Sequence, residues 1–284
     1  MSSIGKSTQE LISSVCDACR LFGGRDLIAL WGVPGTGKSH VAKLAADEIA
    51  GHPQFVKRVQ FHQSYTYEDF VEGMRPTPAG GFEIRSGVFT EWNEQAARDK
   101  DNTYVLLIEE LSRANVPAVL GEILTFIEYR NASFETPISR RRITLATNLV
   151  ILATMNPRDR SAIELDDAVL RRMRVIECPP SAAQLREMLE RSIPSDSAVR
   201  AAIVDSCVRF FEGCEQRLGD RFSEYMPFGH GMFAGVSSWD DLEKVWVQKV
   251  RPLLFRPNIP HDEVAEFIRD TFPRKARPGS AGSP

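Results

Sequence analysis

Gly32-Val33-Pro34-Gly35-Thr36-Gly37-Lys38-Ser39 fits the pattern GxxxxGK[ST] without a mismatch. An apolar run, Leu27 to Trp31, stands directly before it, and a helix-forming run, His40 to Ala50, follows directly. Strand, loop and helix in that order are the context in which this pattern makes a phosphate-binding loop. The glycines let backbone N–H groups turn inward around a polyphosphate, and the positive end of the following helix favours the same anion. The expected nucleotide contacts are therefore Gly32, Pro34, Gly35, Thr36, Gly37, Lys38, Ser39 and His40. Lys38 is expected on the β- and γ-phosphates, and the Ser39 hydroxyl on Mg²⁺. A glycine-rich turn that binds nothing is the plain alternative, and the Lys-Ser pair in this setting argues against it.

Two further apolar runs complete the pattern. Tyr104 to Ile108 shows no alternation of polar and apolar residues, which suits a strand buried on both faces of a parallel sheet. It ends in Glu109-Glu110. Two carboxylates at the C-terminal end of a central strand, downstream of a phosphate-binding loop, are where a Walker B motif belongs, because ligands of open α/β sheets sit at the carboxyl ends of the strands. Leu149 to Met155 is the other run, and it ends in Asn156. An amide there can bond the γ-phosphate or the attacking water.

Around these strands, residues 7–22 carry apolar side chains at helical spacing, and residues 54–62 read as another strand. Residues 61–76 are aromatic and acidic; a ligand cage fits them, a packed helix start is the commoner reading, and periodicity does not decide between the two. Gly80-Gly81 predicts a small hairpin within 77–86, and helices are expected over 88–100 and 111–130, the second with Val116, Val119, Leu120, Ile123, Leu124 and Ile127 on one face. A second hairpin is expected within 131–148. It carries Arg140-Arg141-Arg142, which read more simply as a solvated face than as a contact to nucleic acid or a partner. Residues 159–172 crowd charges of both signs, and residues 175–177 read as the last strand before Pro179-Pro180. From Ser181 onward the pattern is helical. The expected organisation is an N-terminal helix (1–24), an α/β core (25–180), a helical lid (181–272) and a disordered tail (273–284).

Composition bounds the function classes. The 284 residues are 43% apolar and 26% charged, ordinary for a soluble globular protein, and the net charge of -3 provides no general attraction to nucleic acid. No apolar run approaches a membrane span, and residues 1–11 lack a secretion signal's apolar core, so a cytoplasmic protein without a membrane partner is expected. Five scattered cysteines suggest reduced thiols. Cys16 and Cys19 form a CxxC on one face of a helix, which favours core packing over redox or metal chemistry.

Six stretches taken in order resemble the AAA+ module of McrB-type restriction NTPases: FHQSYTYEDFVEGMRP (61–76), the Gly87-Val88-Phe89 helix entry, EELSRAN (109–115), TMNPRDRS (154–161), LDDAVLRR (165–172) and FGHGMF (228–233). The resemblance spans about residues 25–255. It implies an α/β AAA+ P-loop NTPase core, a parallel sheet flanked by helices with hairpin inserts, followed by a smaller all-α lid. It implies a ring homo-oligomer, commonly a hexamer, working with a McrC-like nuclease or another effector. Carried over, Lys38 and Ser39 hold phosphate and metal, Glu110 polarises the attacking water, Asn156 is similar to the first sensor, and Glu109 stands as the metal acid where the family more often has Asp. Arg172, with Arg171 as alternate, is expected to reach a neighbouring subunit's γ-phosphate.

Asn156-Pro157-Arg158-Asp159-Arg160-Ser161 departs from the family's Asn-Thr-Ala-Asp-Arg-Ser, which tips the expected nucleotide from GTP to ATP. Met173 stands where a Phe usually follows the arginine pair. His230 in the lid motif reads as structural, with a nucleotide contact as the alternative. The chain shows none of the N-terminal length in which McrB proteins carry a DNA-reading domain, so target recognition is expected of another subunit. A MoxR-like remodelling chaperone and a nucleotide-dependent switch with little hydrolysis are the rival functions.

Overall fold

The computed structural model describes residues 6–22, 24–156, 167–219, 226–254 and 262–275. These divide into two compact units. One comprises the described residues among 9–31 and 38–177, and the other the described residues among 1–8, 32–37 and 178–284.

The first unit is an α/β layer. After helix α1 (Lys6–Phe22) come β1 (Leu27–Trp31), α2 (Lys38–Ala50), β2 (Val56–Gln60), the short helix α3 (Tyr67–Phe70), a hairpin of β3 (Glu72–Pro76) and β4 (Phe82–Ser86), α4 (Val88–Arg98) and β5 (Tyr104–Glu109). Then follow α5 (Val116–Leu120), α6 (Ile123–Phe126), a second hairpin of β6 (Ser133–Glu135) and β7 (Arg142–Thr144), β8 (Leu149–Met155), α7 (Asp167–Leu170) and β9 (Met173–Glu177). Five strands pair in the order β2-β5-β8-β1-β9. Every pairing among them is parallel.

Residue chemistry accounts for that order. β1, β5 and β8 are buried and apolar apart from Thr154 and the part-buried last residues Trp31 and Glu109, as suits central parallel strands. β2 and β9 take the edges, where Lys57, Arg58 and Arg174 reach solvent and discourage further pairing. Leu27, Ala29, Leu106, Ile108, Ile151 and Ala153 face one side, against Phe61, Phe70, Phe89 and Trp92. The alternate residues of the strands face the other side, where α2 packs through Val41, Ala42, Ala45 and Ala46. Three alanines in that set let the helix lie close to the sheet.

The structure redraws two expected elements. The single helix expected over 111–130 is broken. Gly121 sits at φ 50°, and a Cβ there would stand 2.8 Å from the Tyr67 ring, so the chain turns between α5 and α6 where only glycine fits. The first hairpin begins earlier than expected, because β3 starts at Glu72 inside the stretch read as a helix start. The helix itself is one short turn, whose start is closed by Thr66 and Asp69 as a capping box. Glu72 ties the hairpins together: its buried carboxylate accepts from the N–H groups of Ile138 and Ser139, 3.0 Å each, and from the Ser139 hydroxyl. Arg130, also buried, donates to the carbonyls of Ala146, Leu149 and Gly24.

The second unit is helical, with α8 (Ala182–Ser192) packed on α9 (Arg200–Leu218), then α10 (Trp239–Val245), α11 (Arg251–Leu254) and α12 (Asp262–Thr271). Its core is aromatic. Phe210, Phe211, Phe228, Phe233, Trp246 and Phe272 lie ring against ring, the closest centroids 4.8 Å apart. Two of these, Phe228 and Phe233, bracket the Gly-His-Gly of FGHGMF and are fully buried. Among the described residues no helix is long and apolar enough to cross a membrane.

Candidate nucleotide site

In the α/β unit, the carboxyl ends of β5 and β8 carry the expected polar residues. Glu110 follows β5 in the left-handed conformation, φ 57° and ψ 44°, which costs a residue with a Cβ about 1 kcal/mol or more. The bend is held from several directions. The Glu110 N–H donates to the Thr154 hydroxyl on β8 (3.2 Å), its carbonyl accepts from the Arg113 N–H (2.9 Å), and its carboxylate lies 3.1 Å from the Arg113 guanidinium. The turn carries the Glu110 side chain out of the line of the strand. Glu109, the last residue of β5, falls on the α2 face by alternation, and its carboxylate pairs with Arg58 of β2 at 2.6 Å. The Asn156 N–H bonds to the Ser112 hydroxyl at 3.4 Å, which ties the end of β8 to the turn after Glu110.

Lys38 and Ser39 open α2, whose first turn holds no acidic side chain to occupy its N–H groups. Ser39 and His40 are exposed and Lys38 is half-buried.

In the other unit, residues 32–37 form the loop itself. Gly35 and Gly37 have φ of 84° and 80°, the left-handed backbone that turns successive N–H groups to one side. Thr36 is buried and its hydroxyl donates to the Val33 carbonyl (3.1 Å), so this side chain shapes the loop. The buried Gly32 starts the loop, and the Pro34 and Gly35 carbonyls accept from the N–H groups of Gly229 and Gly231 at 2.8 and 2.7 Å. A Cβ added at Gly37 would meet nothing nearer than His230 Nε2, at 3.9 Å. Gly37 thus has an open face, and with Gly35 it supplies the left-handed turns that a phosphate-binding loop uses. Lys38 and Ser39 follow it in the chain, as a magnesium nucleotide needs.

The arginine pair separates. Arg172 is buried, with its Nε 3.1 Å from the Glu128 carboxylate and its Nη1 donating to the Ala168 carbonyl at 2.8 Å. The Arg171 side chain is 63% exposed and only 4.0 Å from Glu128 at its nearest. Residues 157–166, with Asp159, Arg160, Ser161 and Asp166, lie outside the described residues. Of the hairpin arginines, Arg140 pairs with Glu135 and Arg141 with Glu94. Cys16 and Cys19 are buried, and burial pushes their thiols up to about 11 and about 12. No group of three or more metal-ligating side chains stands together among the described residues.

A GxxxxGK[ST] loop between a central strand and a helix, with paired acids ending another central strand of the same parallel sheet, defines a P-loop NTPase domain. The chain belongs to the AAA domain family, dynein-related subfamily, which matches residues 28–173. It is 37% identical over 162 residues to the type IV methyl-directed restriction enzyme EcoKMcrB subunit of Escherichia coli K12, covering 54% of this chain and 35% of that one. It is 28% identical over 185 residues to the type II restriction enzyme BsuMI component YdiS of Bacillus subtilis 168, covering 50% of this chain and 54% of that one. The chain thus matches between a third and about half of the length of these relatives. Among solved structures, a putative ATPase from Cytophaga hutchinsonii is similar at 17% identity and a TM-score of 0.40, over 78% of this chain and 71% of that one. NtrX from Brucella abortus is similar at 12% and 0.46, over 94% and 68%. Both are remote, and the assignment rests on the family match and the sheet.

Proposed function

We propose that the chain is the nucleotide-hydrolysing subunit of a McrB-like restriction assembly. In this reading it is a ring-forming Mg-ATPase, with GTP as the alternative nucleotide, whose turnover drives or gates a partner nuclease. The observation that carries the reading is that Lys38 and Ser39 open a helix packed on β5 and β8, the two strands that end in Glu109, Glu110 and Asn156. The likeness to the EcoKMcrB subunit, and to a component of a second restriction enzyme, supports the multi-subunit setting.

A bound magnesium nucleotide would supply the phosphoanhydride that is cleaved. Catalysis of such a transfer is mostly positioning and charge neutralisation. Lys38 would neutralise the β- and γ-oxygens while the backbone of Gly35 and Gly37 donates to them. Ser39 would hold the metal, with Glu109 beside it through water. The Glu110 carboxylate, turned out of its strand by the left-handed bend, would orient the attacking water, and Asn156 would hold the γ-phosphate or that same water. Arg171, exposed where Arg172 is anchored, would supply the missing cation to the adjacent subunit's nucleotide. A cation acting in trans ties turnover to assembly, because a lone subunit lacks it.

Calorimetric titration with MgATP and MgGTP tests the reading. The wild type is expected to bind and Lys38→Ala to lose binding. No binding of either nucleotide by the wild type would refute it.

A further inference from the structure

Resting on that reading, we propose that His230 is a direct ligand of the bound polyphosphate, its imidazole donating Nε2–H to a phosphate oxygen in the loop Gly32–Gly37. The geometry begins with the two glycines that flank it. The N–H groups of Gly229 and Gly231 donate to the carbonyls of Pro34 and Gly35, so this backbone lies directly on the loop. A Cβ at Gly229 would come within 2.4 Å of the Gly35 carbonyl oxygen, and one at Gly231 within 2.8 Å, so no other residue permits the approach. Phe228 and Phe233, sunk in the aromatic core on either side, fix the segment from behind.

The one side chain between those glycines is therefore held against the loop. His230 is only 8% exposed, and its Nε2 is the nearest atom to the open side of Gly37, the residue before Lys38. Its Nδ1 is buried with no hydrogen-bond partner. A buried polar atom left unpaired costs stability, and a buried histidine kept only for packing is matched more cheaply by an apolar residue. Burial pushes the imidazole down to about 4, so near neutral pH it is uncharged and carries one N–H. The nitrogen toward the loop is Nε2, so in the proposed Nε2–H tautomer that proton is the one offered to a phosphate oxygen. A neutral donor adds a hydrogen bond to the polyanion without a charge that would need a partner when the loop is empty.

Titration of the wild type, His230→Leu and His230→Gln with MgATP, MgADP and MgGTP tests this, with thermal unfolding recorded for each. Leucine keeps the volume and loses the donor, whereas glutamine keeps a donor. His230→Leu is expected to bind all three nucleotides about tenfold or more weakly, and His230→Gln to stay within about threefold of wild type. Wild-type affinity in His230→Leu, or equal losses in the two variants, would show a packing role and overturn the proposal. A loss that differs between ATP and GTP would put the imidazole on the base and overturn it equally. Failure of the wild type to bind is a separate result, which removes the nucleotide reading itself and this inference with it.

Discussion

Arg172 Nε lies 3.1 Å from Glu128 Oε2, and the pair is anchored inside the α/β unit, where the Arg172 side chain is 7% exposed. Its chain neighbour Arg171 is 63% exposed and reaches the same carboxylate only at 4.0 Å. The two arginines are expected to fail differently. Arg171→Ala should fold and bind nucleotide as wild type does and lose turnover by roughly 10³-fold or more under assembling conditions. Arg172→Ala should lose roughly 1–3 kcal/mol of stability, because Glu128 and the Ala168 carbonyl lose their donor. Steady-state hydrolysis and denaturant unfolding of both variants check this. Full turnover in Arg171→Ala would remove it as the trans cation.

Glu110 keeps a left-handed backbone through contacts at its N–H, carbonyl and carboxylate. Glu110→Gln preserves size and the backbone contacts while removing the charge that orients water. The variant should bind nucleotide at wild-type affinity and leave it uncleaved, read by chromatography of the bound nucleotide after incubation. Normal cleavage would assign the water to another acid.

Glu72 makes stability depend on pH. Burial alone would raise its carboxyl, but hydrogen bonds from the Ser139 hydroxyl and N–H, with further ones from Thr136 and Ile138, outweigh it and hold the group below its ordinary 4.5. A carboxylate lowered in the folded state adds stability that is present above 4.5 and lost as pH falls through the folded value. Glu72→Gln should therefore lose roughly 1–3 kcal/mol at pH 7. The gap from wild type should narrow below pH ~4.5. Urea unfolding at pH 7 and pH 3.5 measures both, and a gap that stays constant would contradict the linkage.

The parallel sheet was legible because its signals are local. Tyr104–Ile108 and Leu149–Met155 lack alternation, as doubly buried strands do, and the polar residues after them mark the strand ends. The break at Gly121 was not, because a lone glycine in a helical pattern does not fix a break, and the Tyr67 ring that leaves no room for a Cβ there comes from far away in sequence. The early start of β3 was hidden for a similar reason: Glu72 finds its partners in the second hairpin. Both adjacent arginines reach Glu128, and only the fold distinguishes the buried one from the exposed one. FGHGMF stood out as a motif, but the lodging of its Gly-His-Gly against Pro34 and Gly35 depends on backbone contacts that no residue pattern records.

If nucleotide is cleaved where two copies of this chain meet, as proposed, turnover depends on assembly. Its most direct measurement is the specific rate of ATP and GTP hydrolysis, side by side, over a rising series of protein concentrations, with particle size followed by light scattering. The per-subunit rate should climb steeply as assembly sets in, and stay low at all concentrations in Arg171→Ala. A per-subunit rate independent of concentration, equal for monomer and assembly, would contradict it.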